Sequence, residues 1–400
     1  MALPLSDIRL LDLSQALAGP FATRMLGDLG AEVIKIEQPG VGDASRRFGT
    51  YYVNGENAYY LGFNRNKKGI TLDLRKSEAR QVFYDLVRLS DVVFDTFRPG
   101  VLERLGADYE TLKGVNPCII SCSLTGFGQE GPWRDRPAWD SIVQALGGAM
   151  SVTGEPGGPP LLMGYPLGDV GGGYAAVVGI LTALLARERT GQGQRVDLSM
   201  LDVQVSLQAH LGQFYLVSGK VPGPIGSSHP ANVPLGAYRT SDGRYLQVAC
   251  TTQKFYEKLA LALARHVEGL EGLPEDSRFA TLEDRVAHRR ELDELLEQAF
   301  ATRMAREWED LLLAADVPVA LVQNLQEALE SPSVQQRHMV VELEHPTAGR
   351  YWSAGTPIKV GREEVFQPAP TLGQHNWEVL VELLGYPPQR VQALTEARAI

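Results

Sequence analysis

Residues 8–37 read IRLLDLSQALAGPFATRMLGDLGAEVIKIE, and how this stretch is read decides the fold. IRLLDLS and AEVIKIE are apolar runs of strand length, and GPFATRMLGDLG between them reads as a helix. Pro20 suits a first helical position, where a missing N–H costs nothing. Two strands joined in this way lie parallel.

The rhythm continues outward from there. GITLDL (69–74) is a strand, SEARQVFYDLVRLS (77–90) a helix and DVVFDTF (91–97) a strand; after short helices comes the strand PCIISCSL (117–124). The expected fold is therefore α/β, with a Rossmann-like large domain whose parallel sheet carries helices on its faces. Ligands of such sheets sit beyond the carboxyl ends of the strands. Cys118 and Cys122, four apart on the last strand, are expected to be buried, inert thiols facing one way. No GxGxxG opens the first helix and no GKS/T occurs, which disfavours dinucleotide and P-loop chemistry.

Composition narrows the class. The 400 residues are 44% hydrophobic and 22% charged, as in an ordinary soluble globular protein, and too many for one small core. A net charge of −10 argues against nucleic acid as a partner, because phosphate backbones need a basic face. Three cysteines make no disulfide framework, and no His or Cys cluster suggests a metal. No uninterrupted apolar run is long enough to cross a membrane, and MALPLSDIRL lacks the features of a signal peptide, so a cytoplasmic enzyme is expected.

Four parts are expected along the chain. Residues 1–218 form the first part of the large domain, and the Gly/Pro-rich 219–235 is a linker. Residues 236–325 form a smaller α+β domain that opens with a hairpin turning near Ser241-Asp242-Gly243, and 326–400 return to complete the large domain. A small-residue helix begins at Val170 and stops at Gly191 and Gly193. GYPLGDVGGGY (164–174) sets Asp169 among glycines just before it. Asp is a favoured helix cap, which is the plain reading of Asp169. A carboxylate there is also favoured as an anion by the helix dipole and can act as a nucleophile, with glycine N–H groups stabilising an oxyanion. The spacing alone leaves both readings open.

Seven segments in order carry a resemblance: 11–43, NRNKKGITLDL (64–74), DVVFDTFRPGVLERLG (91–106), 123–148, 168–202, ESPSVQQRHMVVELEHP (330–346) and APTLGQHNWEVLVELLG (369–385). Together they resemble the family III CoA-transferases, which include formyl-CoA transferase, carnitine CoA-transferase and 2-methylacyl-CoA racemase. The resemblance implies an interlocked homodimer acting on an acyl-CoA and a carboxylic acid, with no cofactor beyond the CoA thioester substrate. It makes Asp169 the nucleophile, with glycines leaving room around it for two acyl groups and the thiol.

By the same resemblance Leu17, Ala18, Leu72, Asp73, Leu74, Arg75, Thr96, Phe97, Arg98 and Arg104 bind CoA. Arg98 and Arg104 are the residues expected to pair with phosphate, their plain alternative being a solvated helix face. Arg136, Trp139 and Asp140 stand near the thioester; Trp139 lines the acyl pocket or simply packs, and Asp140 orients its neighbours. Gln38 departs from relatives that place Arg against the adenine, so Arg46, Arg47 or Lys68 is expected to compensate. His229 and Asn232 lie in the linker, at a candidate acceptor face, with a surface role the plainer reading of His229. The glycine-rich loop of formyl-CoA transferases is missing from NVPLGAYRTSDG, which disfavours oxalate/formate exchange. The positions of the racemase acid/base pair read Trp139 and Thr252, which favours transfer over racemisation; a non-catalytic acyl-CoA-binding protein is the third reading.

Overall fold

The computed structural model describes residues 3–360 and 364–400. Six strands form one sheet: β1 (Arg9–Asp12), β2 (Glu32–Glu37), β3 (Lys67–Thr71), β4 (Val92–Asp95), β5 (Ile120–Thr125) and β6 (Arg195–Ser199). Every pair is parallel, and the order is β3-β2-β1-β4-β5-β6. The order reverses between β1 and β4, so their carboxyl ends flank the switch point.

Period-two alternation explains the two covered faces. Leu11, Ile34 and Val93 point into a core with Val82, Phe83 and Leu86 of the helix Ser77–Arg88. Their neighbours Leu10, Val33 and Val92 point the other way, onto Phe21, Ala22 and Met25 of the helix Ala18–Asp28 and Ile180 and Leu184 of the long helix Leu167–Thr190. The long helix is apolar and long enough to span a bilayer by length and composition alone. Here its Ala176, Val177, Ile180 and Ala183 face lies in the sheet's core.

Contacts divide the chain into two units. The first comprises 1–149, 162–220 and 332–400; the second comprises 150–161 and 221–331. Against the expected division, 219–220 fall in the first unit, and 150–161, 221–235 and 326–331 fall in the second. In the second unit β7 (Leu235–Arg239), β8 (Tyr245–Ala249) and β9 (Val319–Leu321) form an antiparallel sheet in the order β9-β8-β7. Phe279, Leu292, Leu296, Phe300, Trp308 and Leu312 fill its core. The return segment carries the antiparallel pair β10 (Val340–His345) and β11 (Gly349–Ala354) and then covers the free edge of β3. Gly69 N–H donates to His375 Nδ1 at 2.9 Å, and Thr71 N–H donates to Asn376 Oδ1 at 2.8 Å.

Some local expectations change. Strand β5 starts at Ile120, so Cys118 lies outside it and is exposed while Cys122 is buried. After β6 come two helices, Met200–Leu207 and Ala209–Ser218, broken where Ala209 takes φ +45°.

Buried charge fixes the loop after β1. Asp12 Oδ2 meets Lys67 Nζ at 3.0 Å, and Lys35 Nζ meets Asp43 Oδ2 at 2.9 Å, all four groups out of water. Asp12 also accepts from Ser14 N–H (2.9 Å) and Thr23 Oγ1 (2.7 Å), and Asp43 from Ala16 N–H (3.1 Å). Burial alone would raise the Asp12 carboxyl, but Lys67, Lys35 and the two hydroxyls hold it well below the usual range. These bonds hold Ala16 in the left-handed region, φ +66°. They also let Gly19 approach Ser14 so closely that a Cβ would stand 2.2 Å from the Ser14 Cβ.

Removing one partner of a buried pair strands the other, at a cost of about 3–5 kcal/mol. Lys67→Met is expected to lower the unfolding free energy by about that amount in a urea titration. A loss below ~1 kcal/mol would show that Lys35 suffices to balance Asp12.

Candidate active site

Parallel β5 and β6 need a crossover, and the helix that makes it runs back along the sheet. The amino end of Leu167–Thr190 is therefore set at the carboxyl edge of the strands. Pro166 occupies the cap position and has no group to cap with. The cap comes instead from 28 residues upstream: Asp140 Oδ1 accepts Gly168 N–H at 2.7 Å and Asp169 N–H at 3.2 Å. Asp140 begins the helix Asp140–Leu146, and its Oδ2 accepts from Gln144 Nε2 at 2.7 Å.

Asp169 is thus the third residue of the helix and does not cap it, contrary to the plain reading. Its half-buried carboxylate has no hydrogen-bond donor or ion-pair partner among the described residues. The expectation that the dipole keeps it ionised also changes. Burial, and then the Asp140 charge, push the Asp169 carboxyl up to about 7. The two N–H groups that would favour an anion are spent on Asp140. The result is a basic carboxylate, poised near neutrality and open to a reacting partner.

Tyr59 is a member of this cluster that sequence reading does not find. Its helix, Ala58–Phe63, is capped by Asn57 Oδ1, which accepts Tyr59 N–H at 2.8 Å. Its ring stands edge-on to Phe48 and Phe63, at 5.6 and 5.3 Å. Burial, Asp169, Asp43 and Asp140 together push its phenol up to about 12, so it remains a donor at neutral pH. No spacing in ENAYYLGF signals it.

The glycine run serves packing rather than open space. A Cβ on Gly173 would lie 2.7 Å from Phe21 Cδ1 and 2.9 Å from the Ala18 carbonyl oxygen, so only glycine lets the two helices meet. Gly172 abuts Leu124, and Gly171 abuts Leu207. The room expected around Asp169 from residues 171–173 is therefore not theirs to give.

Of the residues expected around CoA, Leu72, Asp73, Leu74, Arg75 and Phe97 converge. With Leu13, Gln15, Ile36, Gln38 and Leu105 they line a cleft of about 600 Å³ of empty space at the carboxyl ends of β1 to β4. Thr96 braces it, its Oγ1 accepting Gln15 N–H at 3.2 Å. Asp73 holds the Arg75 guanidinium by two bonds, at 2.7 and 2.9 Å.

The remaining residues lie apart from this cleft. Arg98 lines a second cleft, with Asp95, Tyr109, Ser121, Ser123 and Arg195. Arg104 is exposed on the helix Val101–Leu105. Leu17 and Ala18 are buried at the start of the first helix. Exposed Arg136 lies against the rings of Phe127 and Trp133, and Trp139 is 64% exposed rather than core.

Two of the three cations expected to compensate for Gln38 are already engaged. Arg46 grips Glu37 at 2.8 and 2.7 Å and stacks on Tyr60, while Lys68 pairs with Glu32 and Glu378. Arg47 bonds the Val41 carbonyl. In the second unit His229 Nδ1 accepts from Ala231 and Asn232 N–H, shaping its own loop, and Thr252 caps the helix Gln253–His266.

Comparison with known proteins places the chain. The model of CoA-transferase family III matches residues 5–376. The succinyl-CoA:glutarate CoA-transferase of Homo sapiens is 34% identical over 399 residues, covering 99% of this chain and 90% of that one. The succinate–glutarate CoA-transferase of Agrobacterium fabrum is 38% identical over 391 residues, covering 95% and 96%. The crystal structure of a CAIB/BAIF family protein from Brucella suis matches with a TM-score of 0.85 at 34% identity, covering 96% of this chain and all of that one.

The raised Asp169 pKa has a stability consequence of definite sign. Its unfolded carboxyl ionises near ~3.9, so between there and about 7 the folded chain holds the extra proton. Stability therefore falls as pH rises through that window, and the loss is complete above it. Asp169→Asn is expected to melt above the wild type at pH 8 and level with it near pH 4. A melting difference that does not change with pH would show that Asp169 is an ordinary solvated carboxylate.

Proposed function

The chain belongs to CoA-transferase family III, and from that premise we propose that it moves coenzyme A from an acyl-CoA to a free dicarboxylic acid, with Asp169 as the nucleophile. One observation carries the reading: a carboxylate freed of hydrogen bonds by the neighbouring Asp140 cap and raised to about 7. The names of the relatives, which act on succinate and glutarate, supply the class of acid.

In the proposed reaction an Asp169 oxygen attacks the thioester carbonyl of the donor, and the C–S bond breaks to give an acyl-aspartyl anhydride and CoA thiolate. The thiolate attacks the Asp169 carbonyl, and the donor acid leaves with one oxygen that had belonged to Asp169. The acceptor carboxylate then attacks the aspartyl-CoA thioester, forming a second anhydride. Thiolate attack on the acceptor carbonyl releases the new thioester and restores Asp169, now carrying an acceptor oxygen. No redox step occurs. Tyr59, held protonated, is the donor we assign to the oxyanion of these additions. The cleft at β1 to β4 takes the nucleotide end of CoA, with apolar walls from Leu13, Leu72, Leu74 and Phe97 and with Gln38 at its lining.

A homodimer fits the exposed apolar surface. The helix Ala209–Ser218 buries none of its residues, and Leu216 and Val217 are 75% and 77% exposed. Monomeric soluble proteins rarely leave such a face uncovered.

The test crosses a panel of CoA thioesters with free acids. Wild type is expected to exchange CoA between dicarboxylates such as succinate and glutarate, and Asp169→Asn to lose at least about 10³-fold in rate. A chiral 2-methylacyl-CoA in D₂O, with no acid present, is expected to take up no deuterium at C2. Rapid uptake without CoA exchange would assign the racemase reaction instead.

A further inference from the structure

Beneath the start of the long helix two glutamine side chains are kept from water: Gln144 is 0% exposed and Gln204 1%. Burying a primary amide is costly unless both of its ends are matched. Gln144 is matched at both. Its Nε2 donates to Asp140 Oδ2 at 2.7 Å, and its Oε1 accepts Met163 N–H at 3.1 Å. Gln204 Nε2 has no partner among the described residues, and it lies 3.6 Å from the point a Cβ on Gly168 would occupy, with Asp140 Oδ1 3.0 Å from the same point.

An amide does not ionise at these pH values, so Gln144 always offers an NH2 donor group and a carbonyl acceptor. Asp140 spends one oxygen on the helix. If its other oxygen were free, Asp140 and Asp169 could share a proton, as neighbouring carboxylates do, and both would titrate as a pair. Gln144 occupies that oxygen. It also pins Met163, three residues before the Pro166 that leads into the helix.

We propose that Gln144 is a positioning residue of the site: its amide holds Asp140 as a proton-free cap and fixes the approach to the helix, so that Asp169 alone of the two carboxylates is left to the substrate. The role rests on the reading of Asp169 as the reacting carboxylate. Among the described residues, the titratable groups coupled to Asp169 are Asp140, from Asp140–Leu146, and Tyr59, from Ala58–Phe63. Ala18, Phe21 and Met200, which the other two neighbouring helices set against this turn, are uncharged.

Gln144→Met removes both bonds. Gln144→Glu keeps the shape but replaces the donor, and it carries the test if the Met variant does not fold. Carbon-13 carboxyl NMR of aspartate-labelled full-length protein, with signals assigned from Asp169→Asn and Asp140→Asn, follows both groups through pH. In the wild type Asp169 is expected to titrate in one step near neutrality. In either Gln144 variant the Asp169 signal is expected to titrate in two steps more than about one pH unit apart. In the same variants kcat for CoA exchange is expected to fall about ten- to a hundredfold, with KM for the thioester within about twofold of wild type.

Titration curves that match the wild type in a folded variant would overturn the proposal and leave Gln144 as packing. The NMR readout is independent of the chemistry. The expected titration pattern in a wild type that transfers no CoA would support the positioning role and remove the proposed function.

Discussion

One carboxylate decides how the site is built. Asp140 reaches across 28 residues to accept the N–H groups of Gly168 and Asp169, which caps the start of the crossover helix without using the carboxylate of Asp169 itself. A helix start normally consumes a nearby acidic side chain as its cap. Here that role is filled from another helix, and the acid inside the first turn is left with a like charge beside it and, among the described residues, no donor. The consequences run together: a pKa near 7, a penalty on the ionised folded state, and a basic carboxylate in the first turn of the long helix.

The sheet supplies the place. In the order 3-2-1-4-5-6, the chain departs in opposite directions after β1 and β4, opening a crevice at their carboxyl ends. The pairs Asp12–Lys67 and Lys35–Asp43 hold the loop after β1 in a strained conformation, which brings Leu13 and Gln15 to one cleft and sets Leu17 and Ala18 at the start of the first helix. Gly173 lets the first and long helices meet closely, with the cap of the long helix at the same edge of the sheet. Stability spent on buried charge and on an unpaired carboxylate is recovered in the two apolar faces of the sheet.

Much of this is legible in the sequence, for a physical reason. The βα alternation of residues 8–124 is a local pattern, and period-two burial makes strands such as IRLLD and EVIKIE readable as fully buried. Leu72 to Arg75 and Phe97 lie at strand ends, so their convergence follows from topology once the sheet is assumed. What spacing does not carry are contacts across distance. Nothing in GYPLGDVGGGY says that Asp140 will cap it, so Asp169 reads equally as its own cap. Glycines cost entropy whether they open space or close it, and only the neighbours Phe21, Leu124 and Leu207 show that these close it. Arg46 and Lys68 look free until Glu37, Glu32 and Glu378 are seen beside them. The segment 150–161 joins the second unit through contacts that composition does not encode.

The central claim is that the acyl group passes through the carboxylate of Asp169, and oxygen isotopes test it most directly. In the proposed sequence the acceptor leaves one of its carboxylate oxygens on Asp169 each time CoA is transferred. Enzyme turned over with ¹⁸O-labelled dicarboxylate acceptor, quenched and digested, should carry ¹⁸O in the peptide containing Asp169 and in no other. Label absent from that peptide after many turnovers, or found on Asp140 instead, would contradict the account.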